Sequence, residues 1–196
     1  KIAEIGSLSI TLENLVDTVF VKIIFPFGKK KKDALYRIVD FFTIFYLKFV
    51  QNNNFKNWQS VAQSASYYSW CGYTFENICL LHTEQIKAKL GISGTETNVY
   101  SWRKAGTLTE KGAQIDLVLD RKDGIVHLCE AKFTENDFVL TKDYNTQLRQ
   151  RRFIFKEATK TRKNPVTTLL TTYPSVKNEH YLEEVHSEIS MDYLFV

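Results

Sequence analysis

The chain has no apolar run approaching the roughly 18 residues of a membrane span, and no secretory signal pattern. It therefore reads as a cytoplasmic protein that does not enter the membrane. Cysteine is scarce: Cys71, Cys79 and Cys129 form no CxxC pair and cannot all pair with one another. A disulfide framework or a zinc ribbon is excluded on that count. Cys71, Cys79 and His82 could share a helical face, but a face of small apolar residues explains that spacing better than a metal does. No G-x-x-x-x-G-K-[ST] phosphate loop occurs, and no internal repeat is present. Met191 is the only methionine and the chain opens on Lys1, so it is expected to be a piece of something longer.

What remains is an ordinary globular composition, with 44% hydrophobic and 24% charged residues in a chain of 196. That length supports one good core, with room for a small appendage. The net charge of +4 is modest but unevenly spread. "GKKKK", with Lys29, Lys30, Lys31 and Lys32, and "LRQRRFIFKEATKTRK", with Arg149 and Arg152, carry much of it. Clustered positive charge points to a polyanionic partner; a solvated turn and a solvated helix face are the bland alternative.

Periodicity divides the chain. Residues 9–16 have helical spacing, and "VFVKIIFPF" and "ALYRIVD" read as strands joined by the lysine run. A helix followed by a hairpin with a basic tip is the closing part of a winged helix, whose tip lysines can reach a phosphate backbone. Asp40 then starts an aromatic-rich helix expected to be buried on several sides. Polar "QNNNFKN" at 51–57 is the candidate boundary, dividing residues 1–50, the end of a winged-helix domain, from a second domain at 51–196.

In the second domain a long helix is expected from about Trp70 to Leu90. Phe75, Ile78, Cys79, His82, Ile86 and Leu90 form its inward stripe, and "GISG" stops it. Strands are expected at 97–103, 113–120 and 125–133, a helix at 141–159 with Tyr144, Leu148 and Phe155 on one face, and a strand in "PVTTLLTTY". Tyr73, Phe75, Tyr100 and Trp102 are most economically core residues. The order predicts an α/β domain with a mixed sheet flanked by helices.

One stretch, "QIDLVLDRKDGIVHLCEAKF", carries the chemistry. Alternation puts Ile115, Leu117 and Leu119 on one face of its first strand and Ile125, His127, Cys129, Ala131 and Phe133 on one face of its second. Asp116 and Val118 then share the opposite, wetter face with Val126, Leu128, Glu130 and Lys132. If Gly124 takes the left-handed third position of a three-residue loop, Arg121 pairs with Ile125 and Asp116 falls opposite Glu130. A loop one residue longer would put Asp116 opposite Cys129 and dissolve the cluster. The first register is favoured. Facing carboxylates repel, so that hairpin is expected to hold a cation between them.

An Asp in one strand and Glu-x-Lys in its neighbour resembles the signature of the PD-(D/E)XK nuclease superfamily, the restriction-endonuclease-like fold. The superfamily core also has a helix before the strands, often with a Glu, and one after them that often offers a Gln or a basic residue. Glu76 in "GYTFENICL" and Gln147 in "YNTQLRQ" occupy those places. With "FPFGKKKKDALYRIVDFFTIFYLKFV" and "WCGYTFENICLLH" included, nearly the whole chain resembles the C-terminal part of prokaryotic archaeal-type AAA/STAND ATPases. Ile115 stands where the motif name has Pro.

The resemblance implies Mg²⁺- or Mn²⁺-dependent hydrolysis of a nucleic-acid phosphodiester, DNA foremost, controlled by an ATPase module outside this chain. Asp116, Glu130 and the Ala131 carbonyl would supply hard oxygen ligands, with Glu76 acting through water. Lys132 would orient the attacking water or stabilise transition-state charge, and Gln147 would position the helix or the scissile phosphate. A catalytically silent DNA- or protein-binding regulatory module is the alternative, and oligomerisation is left open.

Overall fold

The structure, a computed structural model, describes residues 5–51, 57–107 and 111–195. Helix α1 (Ile5–Asp17) leads into strand β1 (Val21–Ile24). A 3₁₀ turn over Lys31–Asp33 connects this to β2 (Leu35–Ile38), which pairs antiparallel with β1 from Val21↔Ile38 to Ile24↔Leu35. Both strands are shorter than the apolar runs suggested. Pro26 ends the first by removing a ladder donor, and Gly28 turns the chain at φ 71°.

Asp40 caps α2 (Phe41–Phe45) by accepting from the Thr43 amide at 2.7 Å, and the helix continues as a π-helical turn over Tyr46–Val50. The expectation that this aromatic segment is buried on several sides is corrected. Phe49 alone of it is buried, and Phe42 is 71% exposed. An aromatic at nearly every position cannot all face one partner, and α4 (below) offers it only one face, through Phe45 and Phe49 against Trp70. Of the candidate boundary at 51–57, residues 52–56 lie outside the described residues.

The short α3 (Trp58–Ala62) precedes α4 (Ala65–Leu81), which Ser64 caps by accepting from the Tyr67 amide. The single helix expected to run to Leu90 is two: His82, at φ −99° and ψ 30°, breaks it before α5 (Thr83–Lys89). Gly91, at φ 70°, closes that end as the "GISG" signal predicted. Strands β3 (Thr97–Lys104), β4 (Ala113–Arg121) and β5 (Ile125–Lys132) follow, then the two-residue β6 (Phe138–Val139) and α6 (Lys142–Thr159). The chain ends through β7 (Asn164–Thr171), the two-residue β8 (Ser175–Val176), α7 (Glu179–Glu184), β9 (Val185–Ser190) and a 3₁₀ turn.

The main sheet has the order β3-β4-β5-β7-β9. Its β3–β4 and β4–β5 pairs are antiparallel, whereas β5–β7 and β7–β9 are parallel, with α6 supplying the first crossover. The expected mixed α/β sheet flanked by helices is present. One face packs Leu117, Leu119, Cys129, Leu170 and Ile189 against Phe75, Cys79 and Leu80 of α4 and Ile86 of α5. On the other face, Trp102, Ile115, Val118, Val126 and Leu128 lie under Phe155 of α6, and Leu169 joins Leu148 and Tyr181. His127 and Cys129 are buried, as their strand face implied. Tyr73 is not core; it is 37% exposed.

The β1–β2 hairpin is stitched to this body. Ile24 joins the α4 face of the core, Lys22 Nζ donates to the Leu80 carbonyl at 2.8 Å, and Asn77 donates to the Ile38 carbonyl at 3.2 Å. Backbone bonds from Phe27 N to Ser101 O and from Ser101 N to Phe25 O tie its base to β3. Among the described residues no helix is long and apolar enough to cross a membrane.

Candidate active site

The β4–β5 turn takes the favoured register. Pairs run from Asp120↔Val126 to Leu117↔Cys129, leaving a three-residue loop that ends on Gly124 at φ 94°. Counted one step further, Asp116 falls opposite Glu130, just past the last paired residues. On its other side β4 carries a bulge. Tyr100 pairs with Val118 and Trp102 with Ile115, so Asp116 and Leu117 together oppose Ser101. The extra residue turns Ile115 onto the face of Val118, under α6, where strict alternation would have put it with Leu117. The wetter face expected for the hairpin is corrected with it. Val118, Val126 and Leu128 are buried beneath α6, and only the strand ends around Asp116 and Lys132 open outward.

There a cavity of about 520 Å³ is lined by Glu76, Asp116, Glu130, Ala131 and Lys132, with Arg151 from α6. Each flank supplies a counter-charge. Glu130, 9% exposed, accepts from the Tyr144 hydroxyl at 2.6 Å through Oε1 and from Arg151 at 2.5 Å through Oε2. Glu76 accepts from Arg37 of β2 at 2.6 Å, and the Arg37 guanidinium lies 4.6 Å over the Tyr73 ring. Among the described residues no arginine pairs with Asp116; the Ala131 backbone N–H and, through charge alone, Arg151 favour its ionised form. Burial, then the charges of Glu130 and Glu76, push it from an ordinary 3.8 up to about 7. Burial first, and Glu130 second, also raise the Tyr144 phenol above its usual range, which keeps it a hydrogen-bond donor. Lys132 Nζ rests 4.7 Å from the centre of the Tyr144 ring.

Four of the five expected catalytic residues, Asp116, Glu130, Lys132 and Glu76, thus line one cavity, as does Ala131. Gln147 does not line it and is exposed on α6. Arg151, four residues on, occupies the inward position instead. Lys29, Lys30 and Lys32 are exposed between β1 and β2, and the Lys31 side chain lies outside what is described. Arg152 makes two hydrogen bonds to Glu184 of α7, at 2.7 and 3.1 Å, and Arg149 pairs with Glu183 at 2.9 Å.

Arg37, Arg103, Tyr144 and Arg151 carried no role in the sequence reading. For Arg151 the signal was there: it lies three residues after Leu148 and four before Phe155, on the inward stripe of α6. Nothing local marks Arg37 or Arg103.

Among the described residues no three His, Cys, Asp or Glu side chains form a ready-made metal centre. The donor set nevertheless suits a hard divalent cation: three carboxylates facing one cavity, one of them driven toward protonation by its burial and then by the other two. No family model, curated protein or solved structure matches the chain.

Proposed function

We propose that the chain is a metal-dependent phosphodiesterase domain with a restriction-endonuclease-like, PD-(D/E)XK core, hydrolysing nucleic acid and DNA in the first place. The observation that carries this reading is the β4–β5 register, which brings Asp116 opposite Glu130 in a cavity shared with Lys132 and Glu76. The mixed sheet, with α4 before its antiparallel part and α6 after it, is compatible with that core.

Asp116, Glu130 and the Ala131 carbonyl would hold Mg²⁺ or Mn²⁺, with Glu76 reaching it through water. When bound, the ion supplies Lewis-acid polarisation of the phosphate and a lowered pKa for the attacking water. The rest is the work of the side chains. Lys132, held against the Tyr144 ring, orients that water and stabilises charge on the phosphate. Arg151 offers a second planar donor to a phosphate oxygen while keeping Glu130 aligned. Tyr144 fixes the other oxygen of Glu130. In the same reading the chain works beside an ATPase module, which would gate the cleavage.

A second reading, a silent DNA- or protein-binding regulatory module, draws on one observation: both oxygens of Glu130 and one of Glu76 already have partners within the protein. The deciding experiment is cleavage of single- and double-stranded DNA with Mg²⁺ or Mn²⁺ by the wild type, Asp116→Ala and Lys132→Ala. Metal-dependent cutting lost in both variants supports the phosphodiesterase. Binding without cutting by the wild type sinks it in favour of the silent module.

A further inference from the structure

Resting on the phosphodiesterase reading, we infer that the substrate is a single-stranded polynucleotide, laid along a trough that crosses Asp116 from Lys132 and Arg151 to Tyr36 and Tyr73. The cavity of about 520 Å³ at the carboxylates is continued by a second, of about 340 Å³. The two share Arg103, Gln114 and Asp116 in their walls, so they meet over the open ends of β3 and β4. The first carries Lys132 and Arg151. The second runs toward the β1–β2 hairpin, with Tyr36 of β2 and Tyr73 of α4 in its lining.

A lone strand asks for two things: positive charge spaced along the backbone, and exposed π faces for bases that have lost their stacking partners. Arg103, Lys132 and Arg151 meet the first requirement on both sides of Asp116. Tyr36, 49% exposed, meets the second, and Tyr73 beside it keeps one ring face outside the Arg37 guanidinium that covers the other. A duplex keeps its bases stacked and has no use for such rings. The wall is also fixed: the bonds between Phe25, Phe27 and Ser101 anchor the hairpin base to β3, at 2.8 and 3.1 Å. Between hairpin and sheet it leaves a space in the range of about 300–1,000 Å³ that suits a small ligand or one nucleotide at a time. Lys29, Lys30 and Lys32 line neither cavity, so the basic tip stands off this track.

The test is fluorescence anisotropy of the full chain in EDTA, so that binding is read without cutting. The probes are labelled oligothymidylate and oligouridylate of about 16 nucleotides, and a mixed-sequence duplex of the same length. The single strands, or the one with the preferred sugar, bind the wild type about tenfold or more tighter than the duplex. Tyr36→Ala weakens that binding about fivefold or more. Arg103→Glu weakens it and lowers the log–log salt slope by about 1. Both affected side chains are exposed, and circular dichroism verifies that the variants fold.

Equal or tighter duplex binding, or wild-type affinity in both Tyr36→Ala and Arg103→Glu, overturns the proposal. The two readings fail separately. Metal-dependent cleavage with duplex-preferring binding removes only the single-strand track. The predicted binding pattern without any cleavage leaves the track standing and removes only the phosphodiesterase.

Discussion

Replacing Asp116 by Asn should make the fold more stable at pH 8 while removing its response to metal. Asp116 rises from 3.8 to about 7 in the folded protein, because burial and the neighbouring Glu130 and Glu76 disfavour its charge. A folded-state pKa above the unfolded one means that the native state binds the extra proton. The contribution of Asp116 to stability is therefore greatest below about pH 4, falls as pH rises toward 7, and levels off above it. At about 1.36 kcal/mol per pH unit the full span is roughly 4 kcal/mol. The amide keeps an acceptor for the Ala131 N–H but carries no charge. Urea unfolding in EDTA between pH 4.5 and 8.5 should thus show the advantage of Asp116→Asn over the wild type growing with pH to up to about 4 kcal/mol at pH 8; taking the difference cancels the opposite slope of buried His127, lowered to about 4 in both proteins. Adding Mg²⁺ to about 100 times its Kd should restore roughly 2.7 kcal/mol to the wild type alone. A variant that is less stable at pH 8, or that keeps the wild-type pH slope, would refute the assignment of that slope to the crowded carboxylates.

Other parts of the frame make separate predictions. Arg152→Ala removes two hydrogen bonds from Glu184, whose side chain is fully buried, and should cost about 3 kcal/mol in urea unfolding. Arg149→Ala removes the half-exposed pair with Glu183 and only a longer, 3.7 Å contact with Glu184, which keeps Arg152, and should cost about 1 kcal/mol. Gly124→Ala meets open space but a φ of 94°, so backbone strain alone should lower stability by about 1–2 kcal/mol, read as a fall in the denaturation midpoint. Arg151→Met leaves Glu130 with Tyr144 alone; in EDTA at pH 8 it should unfold about 3 kcal/mol more easily, with Mg²⁺ recovering part of the loss.

The hairpin was legible because two signals agreed. Alternation over 114–133 set the strands, and the only glycine in the "RKDG" turn could take the left-handed position in just one of the two registers considered. The bulge was not legible. Ser101 opposite Asp116 and Leu117 has no glycine or proline to betray it, and it is a property of how two strands twist together under α6, not of either strand's sequence. That one extra residue moved Ile115 to the α6 face, which α6 covers and keeps dry. Helix boundaries were legible at Asp40 and Gly91, but not at Ser64, whose cap starts α4 at Ala65 where the helix was expected from about Trp70. They failed at His82, where tertiary packing and no local breaker divides α4 from α5.

The same contrast separates the carboxylates from their counter-charges. Asp116 and Glu130 are two-residue-period positions on adjacent strands, so a single turn fixes their meeting. Arg37 and Arg151 reach Glu76 and Glu130 across 39 and 21 residues of sequence, from a hairpin and a helix on opposite faces of the sheet. Only the assembled layers bring them in. Their arrangement is uneven in a telling way: Glu76 and Glu130 each pair with an arginine, whereas among the described residues Asp116 pairs with none and feels Arg151 only through its charge. A hairpin under selection for stability alone would do better with an apolar residue at 116, since an uncompensated buried charge weakens the fold. The deficit of positive charge is concentrated at Asp116, where the strands part and the cavity opens, and a cation arriving there would restore what the arginines leave undone.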